Sequence, residues 1–255
     1  MRPALLNIPA LVLASTALVL TGLPLHASDL DRRIETSAKQ TYNFRTYLRV
    51  DNIKVECSAG VVTLTGAVIQ ESHRSLAQET VSGLPGVKGV INLLVLAGEQ
   101  PPALSDPWIT MKVKAALAFH KSVSATETAV RTQNGVVTLS GNTDTEARKE
   151  LTGEYAMDVE GVTEVHNEMV VTPGMVAPER FGERMDDASI TAQVKTTLLF
   201  HKSTHALATK VSTREGVVTL RGEARNAAEK SLVTRIAEDV KGVKQVYNLM
   251  TLRQP

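Results

Sequence analysis

The segment "GVVTL" occurs three times, within "AGVVTLTG" at 59–66, "NGVVTLSG" at 134–141 and "EGVVTLRG" at 215–222. A second motif follows each copy at a fixed interval. Gly60 is 26 residues before Gly86 of "GVKGVIN", and the same distance separates Gly135 from Gly161 of "GVTEVHN" and Gly216 from Gly242 of "GVKQVYN". Upstream, "ITMKVKAALAFHKS" from Ile109 matches "ITAQVKTTLLFHKS" from Ile190. Repetition at this period restricts the chain to a series of one small fold, used three times.

The unit can be decoded locally. Asp31, Asp106 and Asp187 stand just before an apolar pattern of helical period, where an aspartate is expected to cap the first turn, and Pro107 suits the first helical position. Ile109, Val113, Ala116 and Leu117 form one face, as do Ile190, Val194, Thr197 and Leu198. A short strand centred on Val55, Val130 or Val211 comes next. The turn ending at the anchor glycine then reverses the chain, and Asn134-Gly135 is a strong hairpin signal. In the second strand Val137 and Leu139 point to one side.

A second helix follows, with capping-box spacing at Asn226/Glu229 and at Thr143/Glu146. Leu76, Leu151 and Leu232 form its buried side. Gly86, Gly161 and Gly242 are expected to end it as left-handed caps. A last strand alternates as Val165, Asn167, Met169 and Val171, and the recurring asparagine (Asn92, Asn167, Asn248) is expected to pair with backbone at a bulge or sheet end. The order α-β-β-α-β predicts an α+β fold, a three-stranded sheet covered by two helices on one face. All six glycines are read as structural.

Proline- and glycine-bearing stretches at 99–104 and 173–185 lack a period and read as linkers. The units are therefore expected at 28–98, 105–172 and 186–255, as beads on a string. Residues 1–27 have the layout of a secretory signal, with Arg2 before an apolar run and cleavage near Ala27, which implies export from the cytoplasm. An uncleaved anchor from Ala4 to Leu25 is the alternative. The formal charge of +1 gives no broad electrostatic grip, so nucleic acid is not an expected partner. Cys57 is the only cysteine; it reads as a small buried hydrophobe on a strand.

Nothing in the sequence assembles a catalytic centre. His73, His120, His166, His201 and His205 are the histidines beyond residue 27. His120 and His201 are copies of each other in "FHKS", with no neighbouring acid to orient the ring as a triad requires. They read as partly exposed residues at a helix C-terminus. His201 and His205 are one turn apart without further ligand types, so no metal site is assigned. The anchor glycines open a strand, whereas a phosphate cradle runs into a helix. No enzyme activity, cofactor or small-molecule substrate is expected.

One apolar stripe is specific to the second unit. Trp108, Met111, Ala115 and Phe119 line a side of the first helix distinct from the Ile109 face. The third unit has Ser189, Ala192, Thr196 and Phe200 there, and the first has Arg33, Thr36, Gln40 and Phe44. The stripe is the candidate lipid- or partner-binding surface.

"VRTQNGVVTLSG" with "GVTEVHNEMVV" resembles the BON domain of bacterial envelope proteins. "VSTREGVVTLRG" with "GVKQVYNLMTL" and "VECSAGVVTLTG" with "GVKGVINLLVL" resemble it too, and together the copies cover about 210 of the 255 residues. The resemblance implies a non-enzymatic periplasmic module linked to phospholipid binding, envelope integrity and osmotic stress. Its expected partners are a phospholipid membrane surface or envelope proteins. The alternative is a periplasmic chaperone or adaptor for unfolded or outer-membrane clients. The chain is expected to be a monomer.

Overall fold

Each unit is organised by a hairpin whose turn is held from a neighbouring helix. The computed structural model describes residues 25–98, 102–123, 125, 127–173, 185–204 and 209–253, with side chains from Asp29 onward. The first 24 residues of the expected signal, residues 99–101 of the first linker and residues 174–184 of the second lie outside them. The first unit comprises α1 (Leu25–Gln40), α2 (Tyr42–Thr46), β1 (Asn52–Ser58), β2 (Val61–Val68), α3 (Glu71–Ser82) and β3 (Gly89–Leu96). The second has α4 (Asp106–Ala118), β4 (Thr128–Gln133), β5 (Val136–Thr143), α5 (Glu146–Met157), β6 (Glu164–Asn167) and β7 (Val170–Val171). The third has α6 (Asp187–Phe200), β8 (Thr209–Arg214), β9 (Val217–Ala224), α7 (Ala227–Glu238), β10 (Gln245–Asn248) and β11 (Thr251–Leu252). No helix among the described residues is long and apolar enough to cross a membrane.

The hairpin turns have left-handed backbone at both central residues. The φ angles are 52° and 83° at Ala59-Gly60, 52° and 78° at Asn134-Gly135, and 53° and 81° at Glu215-Gly216. This is the type I′ geometry that matches strand twist. The repeated aspartates act here and do not cap the helix. Asp106 accepts hydrogen bonds from the N–H groups of Asn134 (2.8 Å) and Gly135 (2.9 Å). Asp31 does the same for Ala59 and Gly60, and Asp187 for Glu215 and Gly216. Asp186, one residue earlier, is the side chain that caps α6. Likewise Thr145 caps α5 where Thr143 was expected, while Asn226 caps α7 as read.

The middle strand of each sheet pairs antiparallel with the first and parallel with the last. A parallel return needs a crossover, which the second helix supplies. Val62, Leu64, Val137, Leu139, Val218 and Leu220 are fully buried beneath the helices. Gly86, Gly161 and Gly242 have φ near 90° but lie beyond the helix ends, in the turn that leads to the last strand. They are not helix caps: in the second unit the helix ends at Asp158, and Val162 N–H then closes a separate turn onto Val159.

Two local departures from the pattern matter later. The first helix of the first unit breaks at Thr41, whose hydroxyl donates to the Ala38 carbonyl and starts α2 afresh. The last strand is interrupted in the second and third units, although all three asparagines, Asn92 included, accept from the backbone N–H two residues on. In the first unit that strand runs unbroken for 8 residues.

The units are packed together, in contrast to beads on a string. The second and third contribute to one continuous core from Ile109 to Met250. The first has its own core, which Phe119 and Ala192 of the other two units enter. α6 lies at the junction, with nine of its fourteen residues buried. Asn43 is fully buried there and ties the units together. It donates to Thr80 Oγ1 (2.8 Å) and the Ser189 carbonyl (3.2 Å), and accepts from Gln193 Nε2 (2.7 Å).

Candidate functional site

The two "FHKS" segments meet at the seam between the second and third units. His120 and His201 are 0% and 2% exposed, so neither is the partly exposed helix-end residue the sequence suggested. Each finds its acid on the opposite unit. His120 Nδ1 lies 3.0 Å from Asp239 Oδ2, and His201 Nδ1 lies 2.8 Å from Asp158 Oδ2. Ser122 and Ser203 donate to the other oxygen of the same carboxylates. The backbone N–H groups of Lys121 and Lys202 donate to the carbonyls of Asp239 and Asp158, and their ammonium groups to those of Glu238 and Met157. These four contacts are made reciprocally.

Tyr155 breaks the symmetry. Its ring stacks on His120 with centroids 3.7 Å apart, and its hydroxyl donates to Asp239 at 2.8 Å. Ile236 stands at the matching position of the third unit. Burial holds the His120 imidazole below its ordinary range, against the pull of Asp239. Burial also acts to raise Asp239, but hydrogen bonds from His120, Ser122 and Tyr155 outweigh it and keep the carboxyl low. Burial and the Asp239 charge push the Tyr155 phenol upward.

This constellation of Ser, His and Asp is not a hydrolytic triad. The serine hydroxyl is spent on the aspartate, and the histidine's remaining nitrogen faces the other histidine, so no base activates a nucleophile. Among the described residues no cluster of three or more histidine, cysteine or acidic side chains is disposed to hold a metal ion. His205 lies outside the described residues. His73 pairs with Asp51, and the exposed His166 with Glu164. Cys57 is half-buried; its thiol donates to Asp31, and burial followed by that carboxylate raises its pKa to about 11.

The first unit covers the stripe from Met111 to Phe119, while Trp108 packs against the shared core of the second and third units. Phe119 and Ala115 are 2% and 4% exposed, and Phe119 packs edge-on against Tyr47 at 5.0 Å. Met111 and Ala115 meet Gln70, Glu71 and Ser72 at the start of α3. Trp108 is half-buried, and Lys112 Nζ lies 5.2 Å from its ring and 4.8 Å from that of Phe200. The stripe is apolar because it is an interface within the chain, not an exposed face. The exposed apolar surface lies elsewhere. Ile91, Leu93 and Val95 alternate along the outer face of β3 and are 48%, 58% and 61% exposed, on a strand that is an edge of its sheet among the described residues.

The BON domain model matches residues 30–98, 105–173 and 186–254. The chain is 35% identical over 145 residues to the osmotically-inducible protein Y of Escherichia coli, covering 57% of this chain and 71% of that one. It is 28% identical over 151 residues to the outer membrane lipoprotein DolP of Haemophilus influenzae, covering 57% and 74%. It is 31% identical over 127 residues to a 21 kDa hemolysin of Actinobacillus pleuropneumoniae, covering 48% and 60%. Three matched repeats, each with its clamped hairpin and crossover helix, place the chain in the BON domain family.

Proposed function

We propose that this protein is a non-enzymatic component of the bacterial envelope, exported to the periplasm, that touches phospholipid surfaces weakly and reversibly. The names of two relatives, an osmotically inducible protein and an outer membrane lipoprotein, support the envelope setting. The lipid reading is carried by the row Ile91, Leu93 and Val95 on the edge strand of the first unit. Covering what remains exposed of these side chains is worth about 1 kcal/mol each, or about 2–4 kcal/mol together. That is less than one acyl chain supplies, and a formal charge of +1 adds little. Ala115 and Phe119 of the Trp108 stripe meet lipid only if the first unit lifts away from α4.

Flotation of the protein with zwitterionic and anionic vesicles tests this reading. Partial flotation that is lost in Leu93→Asp/Val95→Asp supports it. Flotation unchanged by that pair, or none at all, overturns it.

A second reading has its own observation. β3 is an uninterrupted edge strand, and the same edge is broken in the other units. Such an edge accepts an added strand from an unfolded client. Client holding predicts suppression of aggregation without vesicles.

A further inference from the structure

We propose that the groove between α5 of the second unit and α7 of the third binds a short extended peptide carrying basic side chains. The groove has a volume of about 820 Å³ and an apolar floor that includes Met157, Val165 and Leu232. It is separate from the apolar edge of β3, and its acidic rim disfavours the phosphates that a lipid reading requires.

Three features of the second unit point the same way. Glu146, Glu150 and Glu154 follow one another at single-turn spacing on the face of α5 that lines the groove, and all are exposed. None of the three makes an ion pair among the described residues. Like charges at this spacing work against a helix, so folding alone does not account for them. The first unit has Glu71, Ser75 and Glu79 at these places, with the glutamates paired to Arg74 and Lys195. The third has Ala227, Ser231 and Arg235.

The second feature is Gly153, in the middle of α5. Its φ is not in the left-handed region, so backbone geometry does not demand glycine there. A Cβ at this position would lie 3.2 Å from Asn167 Nδ2. Gln78 and Thr234 occupy the equivalent positions, and each accepts an N–H from the recurring asparagine, at 3.0 Å from Asn92 and 2.8 Å from Asn248. The glycine keeps that space open.

The third feature follows from the second. One N–H of the Asn167 amide donates to the Lys149 carbonyl at 2.6 Å. The other has no acceptor among the described residues and borders the groove. A main-chain carbonyl of an extended peptide satisfies it, apolar side chains lie on Val165 and Leu232, and lysine or arginine side chains reach Glu150 and Glu154. The rim's own cations do not cancel this preference. Lys149 and Lys202, the latter held on the Met157 carbonyl at 2.7 Å, stand against Glu146, Glu150, Glu154 and Asp158, so the lining stays net negative.

The probe is an acetylated, amidated hexapeptide of alternating valine and lysine, titrated calorimetrically into the whole chain beside its counterpart with glutamate in place of lysine. The lysine peptide is expected to bind and the glutamate peptide not. Gly153→Gln copies the first unit, fills the groove and puts a better helix former into α5, so a folding defect does not confuse the result. That variant and Glu150→Lys are each expected to weaken binding by about tenfold or more. Failure to bind at about 1 mM peptide, equal binding of the two peptides, or unchanged affinity in both variants overturns the proposal. Variants that reduce vesicle flotation and leave peptide binding intact also overturn it, and assign the groove to lipid.

Discussion

His120 Nε2 and His201 Nε2 face each other across 3.4 Å at the seam of the second and third units. The opposite nitrogen of each ring points at a carboxylate, which accepts only, so each Nδ1 carries the proton. The neutral His120 therefore turns a lone pair toward the other ring, in a site from which solvent is excluded. On the second unit's side, burial keeps the His120 imidazole neutral beside an ionised Asp239.

Acid should loosen this seam. The folded chain keeps His120 neutral while the same imidazole in the unfolded chain takes a proton near its ordinary pKa of about 6.5, so the unfolded state binds more protons and stability falls as pH drops below that value. Asp239 and Asp158 are held low in the fold, and their contribution is lost as pH falls further, through the carboxylate range. Urea midpoints at neutral pH and at about pH 5.5 should differ. The difference should shrink in a His120→Asn/His201→Asn variant; equal pH dependence in the two proteins would count against the seam.

Removing one acid is costly, and the two are not equivalent. Asp239→Ala strands donors on His120, Ser122 and Tyr155, a loss of about 3 kcal/mol or more. Asp158→Ala strands those of His201 and Ser203, with no tyrosine among them. It should be milder by about 1 kcal/mol. Equilibrium denaturation of the two variants gives the ordering directly.

Buried and exposed apolar residues of the same chain should behave oppositely. Phe119→Ala opens a cavity where the second unit enters the first unit's core and should cost about 3–5 kcal/mol. Leu93→Asp, on the outer face of β3, should change stability by no more than about 0.5 kcal/mol. A thermal melt separates them, and a destabilised Leu93→Asp would show that the β3 face is covered.

Glu215 occupies a left-handed turn position that asparagine tolerates better. Glu215→Asn should therefore raise stability by about 0.5–1 kcal/mol, because Asn134 already shows the clamp accepting that residue. Calorimetry on this single variant suffices; a lower melting temperature would contradict the turn assignment.

Cys57 should be inert. With its pKa at about 11, little thiolate exists at pH 8, and alkylation by iodoacetamide should be slow until urea unfolds the first unit. Asp31→Asn removes a charge that raises the thiol and should hasten the reaction. A fast reaction in the native chain would rule out the Asp31 contact.

The unit's architecture was legible because its signals act within about 30 residues. The hairpin glycines, alternating strand residues and helical faces found their places, whereas Gly86, Gly161 and Gly242 serve a turn beyond the second helix and do not cap it. Asp106 was misread because a cap and a turn clamp both ask for a short acceptor at the start of a helix. The clue was its constant separation of 29 residues from the anchor glycine whose N–H it accepts. The pairing of His120 with Asp239 spans 119 residues, beyond any local pattern. One indirect sign existed: histidine and aspartate recur together in the second and third units, while the first has Arg45 and Gly83 in their stead. Phe119 was half legible, since its recurrence hinted at packing, but nothing in the sequence says which unit covers it.

A handshake in which each side offers the same residues and receives the same residues has an isologous character, and such contacts close on themselves. Once His120 and Asp158 have met Asp239 and His201, neither unit keeps a spare half for another repeat. The array cannot lengthen into a filament by this route, however many copies a gene supplies. A further unit must attach by a different surface. The first one does so, with Asn43 where the others have Ala118 and Leu199, and with Gly83 allowing Ala188 of α6 to come close.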